Sequence, residues 1–295
     1  MKSGTVAVIG RANAGKSTLV NVLVGEKVAI VSPKPQTTRD RIYGVLTTED
    51  YQIVFEDTPG IYRAKNALNA RMQKTTGDTA KDCDAILFVI DGHAGISEED
   101  KKLAEKYCNS EVPTIIAVSK TDITEKNTLL NDLTFLSDLT AADEIIPVSA
   151  RKGKNVKELL EVLLKYMPDG EYVFDPNAVS DKSMKFMIGE LMREKILLRY
   201  DKEIPHGVAV TVNEFSQRDN GIYDIDLDII CEKPNHKAII IGKQGKALKE
   251  VSTFARQSME KLLDAKVYLK VYVKVKENWR DRSDLLKEYG YDETT

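Results

Sequence analysis

The chain has 295 residues, of which 42% are hydrophobic and 30% charged, and its formal net charge at pH 7 is −3. This length allows two domains of ordinary size, and the small net charge by itself predicts no nucleic-acid partner. No apolar run approaches the roughly 18 residues of a membrane-spanning helix, so we expect no transmembrane segment.

Cysteine and histidine usage argues against a disulfide-bonded protein and against a zinc protein. Cys83, Cys108 and Cys231 lack C-x-x-C spacing, and the three histidines are scattered along the chain. We interpret the cysteines as reduced thiols of a cytoplasmic protein, with neither disulfides nor a zinc site. The first predicted strand begins almost at the N-terminus, so we also expect no signal peptide.

The first predicted elements are a strand, a glycine-rich loop and a helix. The apolar run Thr5–Ile9 precedes Gly10–Ser17, which reads GRANAGKS, and the helical segment Leu19–Val24 follows. This is G-x-x-x-x-G-K-[ST] in the context that the motif requires. The glycines let backbone N–H groups surround a polyphosphate, Lys16 reaches the β- and γ-phosphates, and Ser17 can ligate Mg²⁺. The predicted contacts of a nucleoside triphosphate here are Gly10, Arg11, Ala12, Asn13, Ala14, Gly15, Lys16, Ser17 and Thr18.

Strand-like and helix-like segments alternate as far as about Tyr166. This alternation predicts an α/β fold, with a mostly parallel sheet and helices on both of its faces. Arg41–Thr48 and Tyr51–Glu56 form a predicted hairpin that adds one antiparallel edge strand. Proline and Asp-Gly breakers then predict a linker at 168–181, which separates a first domain, 1–167, from a second, 182–295.

Two segments of the first domain are suited to the metal and the γ-phosphate. In Asp57-Thr58-Pro59-Gly60, Asp57 can hold Mg²⁺ through water, and the Gly60 N–H can meet the γ-phosphate. The segment Gln36-Thr37-Thr38-Arg39 lies between this motif and the phosphate-binding loop. We predict that Thr38 closes over the metal and the γ-phosphate when the nucleotide is bound.

Two further segments predict that the base is guanine. Ser119-Lys120-Thr121-Asp122 follows a predicted strand, and the Asp122 carboxylate can accept hydrogen bonds from two guanine N–H groups, which adenine cannot supply. Ser149-Ala150-Arg151 follows the next strand, where the Ala150 N–H can meet the guanine O6. Each segment alone is weak evidence, but five in this order predict a GTPase domain. Its further nucleotide contacts are then Asp57, Thr58, Pro59, Gly60, Ile61, Ser119, Lys120, Thr121, Asp122, Ser149, Ala150 and Arg151.

The second domain has the predicted order helix–strand–strand–helix–helix–strand, with Gly242-Lys243-Gln244-Gly245 between its second and third helices. This pattern predicts an α+β type II KH domain, whose loop clamps about four nucleotides of single-stranded RNA. Between Lys233 and Lys276 there are eleven Lys or Arg residues against three Asp or Glu. The alternative is a plain glycine turn beside a solvated lysine face. The predicted RNA contacts are Ile241, Gly242, Lys243, Gln244, Gly245, Lys246 and Lys249.

Together these motifs resemble one family. The segments GRANAGKST, QTTRDRIYGV, DTPGI and SDKS, with the KH motif, are similar to those of Era, bacterial Ras-like GTPases with a C-terminal KH domain. The resemblance covers nearly the whole chain. It implies a Mg²⁺-dependent GTPase switch that binds the 3′ end of small-subunit ribosomal RNA in assembly of the 30S subunit. It also implies peripheral contact with the inner membrane, and we expect a monomer.

The chain departs from the family, or from related GTPases, at three positions. Ser119 replaces the asparagine of N-K-x-D, so we expect weaker nucleotide binding with guanine selectivity retained. Ile61 replaces the glutamine that orients water in Ras-type enzymes, so we expect slow intrinsic turnover. Asn13 resembles the asparagine of potassium-activated GTPases; alternatively, it only caps the loop.

Other functions fit the motifs less well. A P-loop metabolic kinase has no use for the two guanine segments, and a related ribosome factor with two GTPase domains needs a second P-loop, which the sequence lacks. A GTPase acting on another RNA, or in another ribosome-associated process, remains an alternative.

Overall fold

The computed structural model describes residues 1–61, 66–72, 80 and 82–291. They form two compact units. The first unit contains residues 1–31, 38–61, 71–72, 80 and 82–181. The second contains residues 32–37, 66–70 and 182–291. Within the described residues, no helix is both long and apolar enough to cross a lipid bilayer.

A six-stranded sheet forms the centre of the first unit, with the strand order β2-β3-β1-β4-β5-β6. All neighbouring strands are parallel except β2 and β3, which form the predicted antiparallel hairpin at one edge. The predicted fold class is therefore confirmed for this unit. The strands are β1 (Lys2–Ile9), β2 (Ile42–Thr47), β3 (Tyr51–Asp57), β4 (Ala85–Asp91), β5 (Thr114–Ser119) and β6 (Glu144–Pro147).

Helices cover both faces of this sheet. Side chains that alternate along β1 accordingly enter two different apolar clusters. Val6 and Val8 lie in one cluster, and Ala7 and Ile9 lie in the other. Both faces of the central strands are therefore buried, as expected for a parallel sheet. The helices are α1 (Lys16–Val24), α2 (Glu98–Cys108), α3 (Lys126–Leu139) and α4 (Val156–Tyr166).

The residues predicted as a linker belong to the first unit and line its β2–β3 edge. The Gln52 side chain accepts hydrogen bonds from the backbone N–H groups of Val173 (2.8 Å) and Phe174 (2.9 Å), and donates to the Phe174 carbonyl (3.0 Å). The Val45 N–H donates to the Val179 carbonyl at 2.9 Å. The Val45 bond gives β2, the strand at the edge of the sheet, a backbone partner that an edge strand otherwise lacks, and the Gln52 bonds tie the same segment to β3.

A three-stranded sheet forms the second unit, in the order β7-β8-β9. The strands β7 and β8 are antiparallel, whereas β8 and β9 are parallel. This arrangement has the predicted type II element order. The elements are α5 (Met184–Arg199), β7 (Ala209–Gln217), β8 (Tyr223–Cys231), α6 (Pro234–Ile241), α7 (Lys246–Leu263), β9 (Val267–Val275) and α8 (Ser283–Glu288).

The segment that follows β9 contributes the only tryptophan of the chain to the second unit. Trp279 is fully buried, and its indole N–H donates to the Gly207 carbonyl at 3.0 Å. Its ring lies 5.8 Å from the rings of both Tyr289 and Tyr291. Trp279 therefore reports on the packing of this unit.

We expect Leu227→Ala to destabilise the second unit by about 2–5 kcal/mol, because Leu227 is fully buried on β8 and the change leaves a cavity. Denaturant unfolding followed by Trp279 fluorescence measures the effect. Leu198→Ala on α5, where the side chain is 53% exposed, is the matched control and should cost less than ~0.5 kcal/mol. GDP affinity should be unchanged in both variants; equal midpoints for the two variants would contradict the packing described above.

Candidate functional site

The phosphate-binding loop connects β1 to α1, as its motif predicts. Lys16 is 6% exposed, and its ammonium group donates to the carbonyls of Gly10 and Arg11, both at 3.0 Å. Burial lowers the pKa of Lys16 from its usual 10.5 to about 8, and the nearby Asp57 carboxylate opposes that shift. The Lys16 ammonium group is thus poorly solvated and bonded only to neutral carbonyl oxygens. An anion such as a phosphate would stabilise its charge better than these carbonyls do.

Three predicted metal ligands lie together beside this lysine. The Ser17 hydroxyl donates to Asp57 Oδ2 at 2.6 Å and lies 2.8 Å from the Thr38 hydroxyl oxygen. The Thr38 hydroxyl in turn donates to the same carboxylate oxygen at 3.3 Å. The three residues come from α1, the segment before β2 and the end of β3.

The Asp57 carboxylate fits a divalent cation. It is fully buried, and its second oxygen, Oδ1, has no hydrogen-bond partner among the described residues. Burial raises the pKa of Asp57, while Lys16 and hydrogen bonds from Ser17 and Thr38 act in the opposite direction. An unpartnered carboxylate oxygen beside two hydroxyls is the oxygen-rich ligand set that Mg²⁺ prefers.

The residues after Asp57 are held by the core and by the loop. The Thr58 hydroxyl donates to the Val8 carbonyl at 2.8 Å, so this side chain faces the sheet. The Ile61 N–H donates to the Gly10 carbonyl at 3.3 Å, and the Ile61 side chain packs against the core. A Cβ on Gly60 would lie 2.6 Å from Ala12 Cα, so only glycine allows this approach of the two backbones.

Ser119, which replaces the expected asparagine, reaches the phosphate-binding loop. Its hydroxyl donates to the Ala14 carbonyl at 2.6 Å, and the residue is 5% exposed. The carboxylate of Asp122 is at the surface and accepts a hydrogen bond from the Ser149 hydroxyl at 2.7 Å. This bond is the main reason that the pKa of Asp122 is lowered, and it keeps the carboxylate ionised and oriented.

Lys120 has a partner that the sequence analysis missed. Its ammonium group lies 2.5 Å from Asp91 Oδ2, and the backbone of Lys120 is left-handed, with φ of 58°. Asp91 ends β4, next to β5, from which Lys120 follows. The signal available in the sequence was an aspartate at the carboxyl end of a predicted parallel strand, where ligand-binding residues of such sheets gather.

The remaining predicted nucleotide contacts surround these groups. Asn13 is exposed, with φ of 65°, and Ala14 is buried. The Thr121 N–H donates to the Val148 carbonyl at 3.3 Å. Half-buried or exposed residues complete the set: Arg11, Ala12, Gly15, Thr18, Ala150 and Arg151. Pro59 is buried beside Gly60.

The Gly-x-x-Gly loop of the second unit connects α6 to α7. Lys243, Gln244, Lys246 and Lys249 are exposed or half-buried, and none of the three lysines has an ion-pair partner among the described residues. Ile241, by contrast, packs against the core of its unit. The loop therefore presents a group of uncompensated positive charges beside closely spaced glycines, an arrangement that suits a phosphate backbone.

Strand β9 presents a second surface, with alternating tyrosines and lysines. Tyr268 is 50% and Tyr272 54% exposed. The Lys274 ammonium group lies 2.6 Å from Asp228 on β8, and the guanidinium of Arg218 stacks on Tyr268. The charges of this face are therefore partly neutralised within the protein, unlike those of the Gly-x-x-Gly loop.

Comparison with known proteins identifies both units. Residues 5–120 match a family model described as "50S ribosome-binding GTPase", and residues 203–280 match a KH domain model. "GTPase Era" of Clostridium kluyveri is 46% identical over 291 residues, covering 99% of each chain; that of Clostridium novyi is 46% identical over 292 residues. A crystal structure of Aquifex aeolicus Era, a variant bound to GDP and AlF4⁻, has a TM-score of 0.93, at 37% identity and 99% coverage of each chain.

The fold and the site define a P-loop GTPase that carries a C-terminal KH domain. Identity of 46% over the whole length places the chain more narrowly: it belongs to the GTPase Era family. The resemblance seen in the sequence motifs is thus confirmed, and the protein hydrolyses GTP.

The lowered pKa of Lys16 predicts that nucleotide binding takes up a proton. At pH 8 the free lysine is about half protonated, and phosphate charge should raise its pKa well above 8, so GDP binding should take up about half a proton. Because the pKa is higher in the bound state, affinity should be greatest below pH 8 and fall as the pH rises through it. Titration calorimetry with GDP, without magnesium, in two buffers of different ionisation enthalpy measures the uptake.

Lys16→Arg is the control for this experiment, since arginine stays protonated and should bind GDP without proton uptake. Zero uptake by the unmodified protein at pH 8 would show that Lys16 is already fully charged before the nucleotide arrives.

Proposed function

We propose that this GTPase binds single-stranded RNA through its Gly-x-x-Gly loop, and that the RNA is the 3′ end of small-subunit ribosomal RNA, bound during assembly of the 30S subunit. The observation that carries the proposal is the group of lysines on that loop without an ion-pair partner among the described residues, in a chain that is also a GTPase. A solved structure supports it: Era in complex with MgGDPNP and nucleotides 1506–1542 of 16S ribosomal RNA has a TM-score of 0.93, at 37% identity and 99% coverage of each chain.

The family model described as "50S ribosome-binding GTPase" does not favour the large subunit for this chain. It covers residues 5–120, which lie outside the KH domain. The RNA-bound relative, by contrast, aligns with 99% of the chain. The choice between ribosomal subunits therefore rests on the RNA-binding half, and there the support is for 16S RNA.

In the nucleotide site, we assign Lys16 to the β- and γ-phosphates, in exchange for its present bonds to Gly10 and Arg11. Ser17, Thr38 and Asp57 would hold Mg²⁺, which supplies charge neutralisation for the phosphates when it is bound. Gly60 lies close to Ala12 of the loop, and we assign its N–H to the γ-phosphate. Loss of that phosphate on hydrolysis removes the partner that holds Thr38 and Gly60, which is the switch of this class.

Guanine selectivity is assigned to Asp122, oriented by the hydroxyl of Ser149. Lys120, two residues earlier in the same segment, is held by Asp91. We propose that Ser119 stabilises the loop through Ala14, so that the shorter side chain keeps a structural link between the guanine segment and the phosphate-binding loop.

No glutamine is available to orient the attacking water, because Ile61 stands at that position, packs into the core and has a side chain without polar atoms. Thr38, backbone groups or a group from outside the chain are left to position the attacking water, so intrinsic turnover should be slow. We propose that a K⁺ ion held in part by Asn13 contributes charge at this point. The exposed amide of Asn13 and its left-handed backbone at the mouth of the loop support this role.

We further propose that the protein acts as a monomer in the cytoplasm. This rests on the predicted reduced thiols and on the family resemblance. Any contact with the inner membrane would be peripheral, as that resemblance implies.

The RNA assignment predicts a charge effect and a shape effect. Lys243→Ala with Lys246→Ala should reduce the salt dependence of binding to a 16S 3′-end oligonucleotide by about 0.7 log units for each phosphate that a lysine neutralises. Gly245→Asp should abolish binding at any salt concentration, because it places a carboxylate where phosphate approaches a glycine with φ of 74°. Fluorescence anisotropy at several salt concentrations measures both effects.

Two matched controls accompany this test. Gly221→Asp introduces the same substitution at a turn with φ of 81°, and Lys270→Ala with Lys274→Ala removes two lysines from β9. Both proteins should bind RNA nearly as the unmodified one does. If the β9 variant loses binding and the loop variants keep it, the RNA lies along the strand; preference for an unrelated RNA would replace the 16S assignment.

The potassium proposal predicts that GTP turnover is severalfold faster in KCl than in NaCl at equal ionic strength. Asn13→Ala should remove this difference while retaining GDP binding, since the loop backbone remains. Phosphate release at saturating GTP is the measurement. Equal rates in the two salts would leave Asn13 as a loop-capping residue.

A further inference from the structure

The side chain of Arg11 in the phosphate-binding loop forms an ion pair with α2. Its Nε donates to Asp100 Oδ1 at 2.8 Å. The Asp100 side chain is 1% exposed and that of Arg11 27%, so the pair is largely withdrawn from water. The two residues are 89 positions apart in the chain, and the contact joins the loop after β1 to the helix after β4.

The Asp100 carboxylate is also held by Ser97, independently of Arg11. Its other oxygen, Oδ2, accepts hydrogen bonds from the backbone N–H (2.9 Å) and the hydroxyl (2.8 Å) of Ser97. The Asp100 N–H donates back to the Ser97 hydroxyl at 3.2 Å, which completes a capping box at the start of α2. The carboxylate therefore has one oxygen committed to the helix and one to the loop.

The backbone of Arg11 belongs to the part of the loop that receives the phosphates. Its carbonyl accepts hydrogen bonds from the Lys16 ammonium group at 3.0 Å and from the Ala14 N–H at 3.3 Å. The backbone of Arg11 also forms an isolated β-bridge with that of Ile61, the residue after Gly60. A change in the position of Arg11 would therefore move the groups around Lys16.

We propose that Asp100 is a positioning residue of the nucleotide site, which acts through Arg11 to hold the phosphate-binding loop in its binding shape. Removing either charge leaves the other buried without its partner, and the loop must shift to solvate it. The β-phosphate is common to GDP and GTP, so both affinities should fall by the same factor. An interaction that serves ground state and transition state alike changes KM and leaves kcat unaltered.

The test compares Arg11→Met and Asp100→Asn with the unmodified protein, using fluorescent GDP and GTP analogues and steady-state hydrolysis. Each single variant should bind both nucleotides about tenfold more weakly, which corresponds to ~1.4 kcal/mol. The kcat should be unchanged and KM raised. The double variant should be no weaker than either single variant, because the two side chains act as one unit. Arg11→Lys, which keeps the positive charge, should recover part of the affinity.

Ser97→Ala is the control for the capping role of Asp100. It removes the capping hydroxyl but leaves the ion pair and the bond from the Ser97 N–H to Asp100 Oδ2. It should therefore lower the melting temperature by about 2–5 °C with nucleotide affinity unchanged. The proposal is overturned if Asp100→Asn only reproduces the Ser97→Ala result, or if the losses of the two single variants multiply in the double variant. A fall in kcat without a change in affinity would instead place Arg11 in the chemical step.

Discussion

The nucleotide site depends on the burial of one carboxylate. Asp57 is completely withdrawn from water at the end of β3, and an isolated charge in that position would cost several kcal/mol. The hydroxyls of Ser17 and Thr38 and the ammonium group of Lys16 offset that cost. Because these groups come from the phosphate-binding loop, the start of α1 and the segment before β2, solvating the carboxylate requires all of these parts to meet.

The topology of the sheet explains why they meet at this edge. Strand β1 lies between β3 and β4, so the connection after β1 leads to one side of β1 and the connection after β3 leads to the other side. A ligand crevice opens at such a switch point. Asp57, Asp91 and Ser119 end three parallel strands of this sheet and meet partners there. Two of those partners, Ala14 and Lys16, belong to the loop after β1. The loop is thus held from several strand ends, and its shape does not depend on its glycines alone.

The second unit uses charge in the opposite way. On β9 and β8, lysine and aspartate side chains neutralise one another, as Lys274 and Asp228 do. On the Gly-x-x-Gly loop, Lys243 and Lys246 have no acidic partner among the described residues, so their charges remain available to a polyanion. Two lysine-bearing surfaces therefore differ in what they can bind, because an ion pair within the protein neutralises part of the charge of only one of them.

By itself, the sequence determined several features that depend on neighbouring residues alone. The strand–loop–helix at residues 5–24, the β2–β3 hairpin and the Gly-x-x-Gly turn are set by local backbone requirements, so their motifs could be read directly. Tertiary structure alone decided the partners that lie far apart: Asp91 for Lys120, Asp100 for Arg11 and Ala14 for Ser119. The tertiary structure also places the Thr58 side chain toward the core. Such pairs arise from strand order and register, which bring distant segments together and leave no periodic signal in the chain.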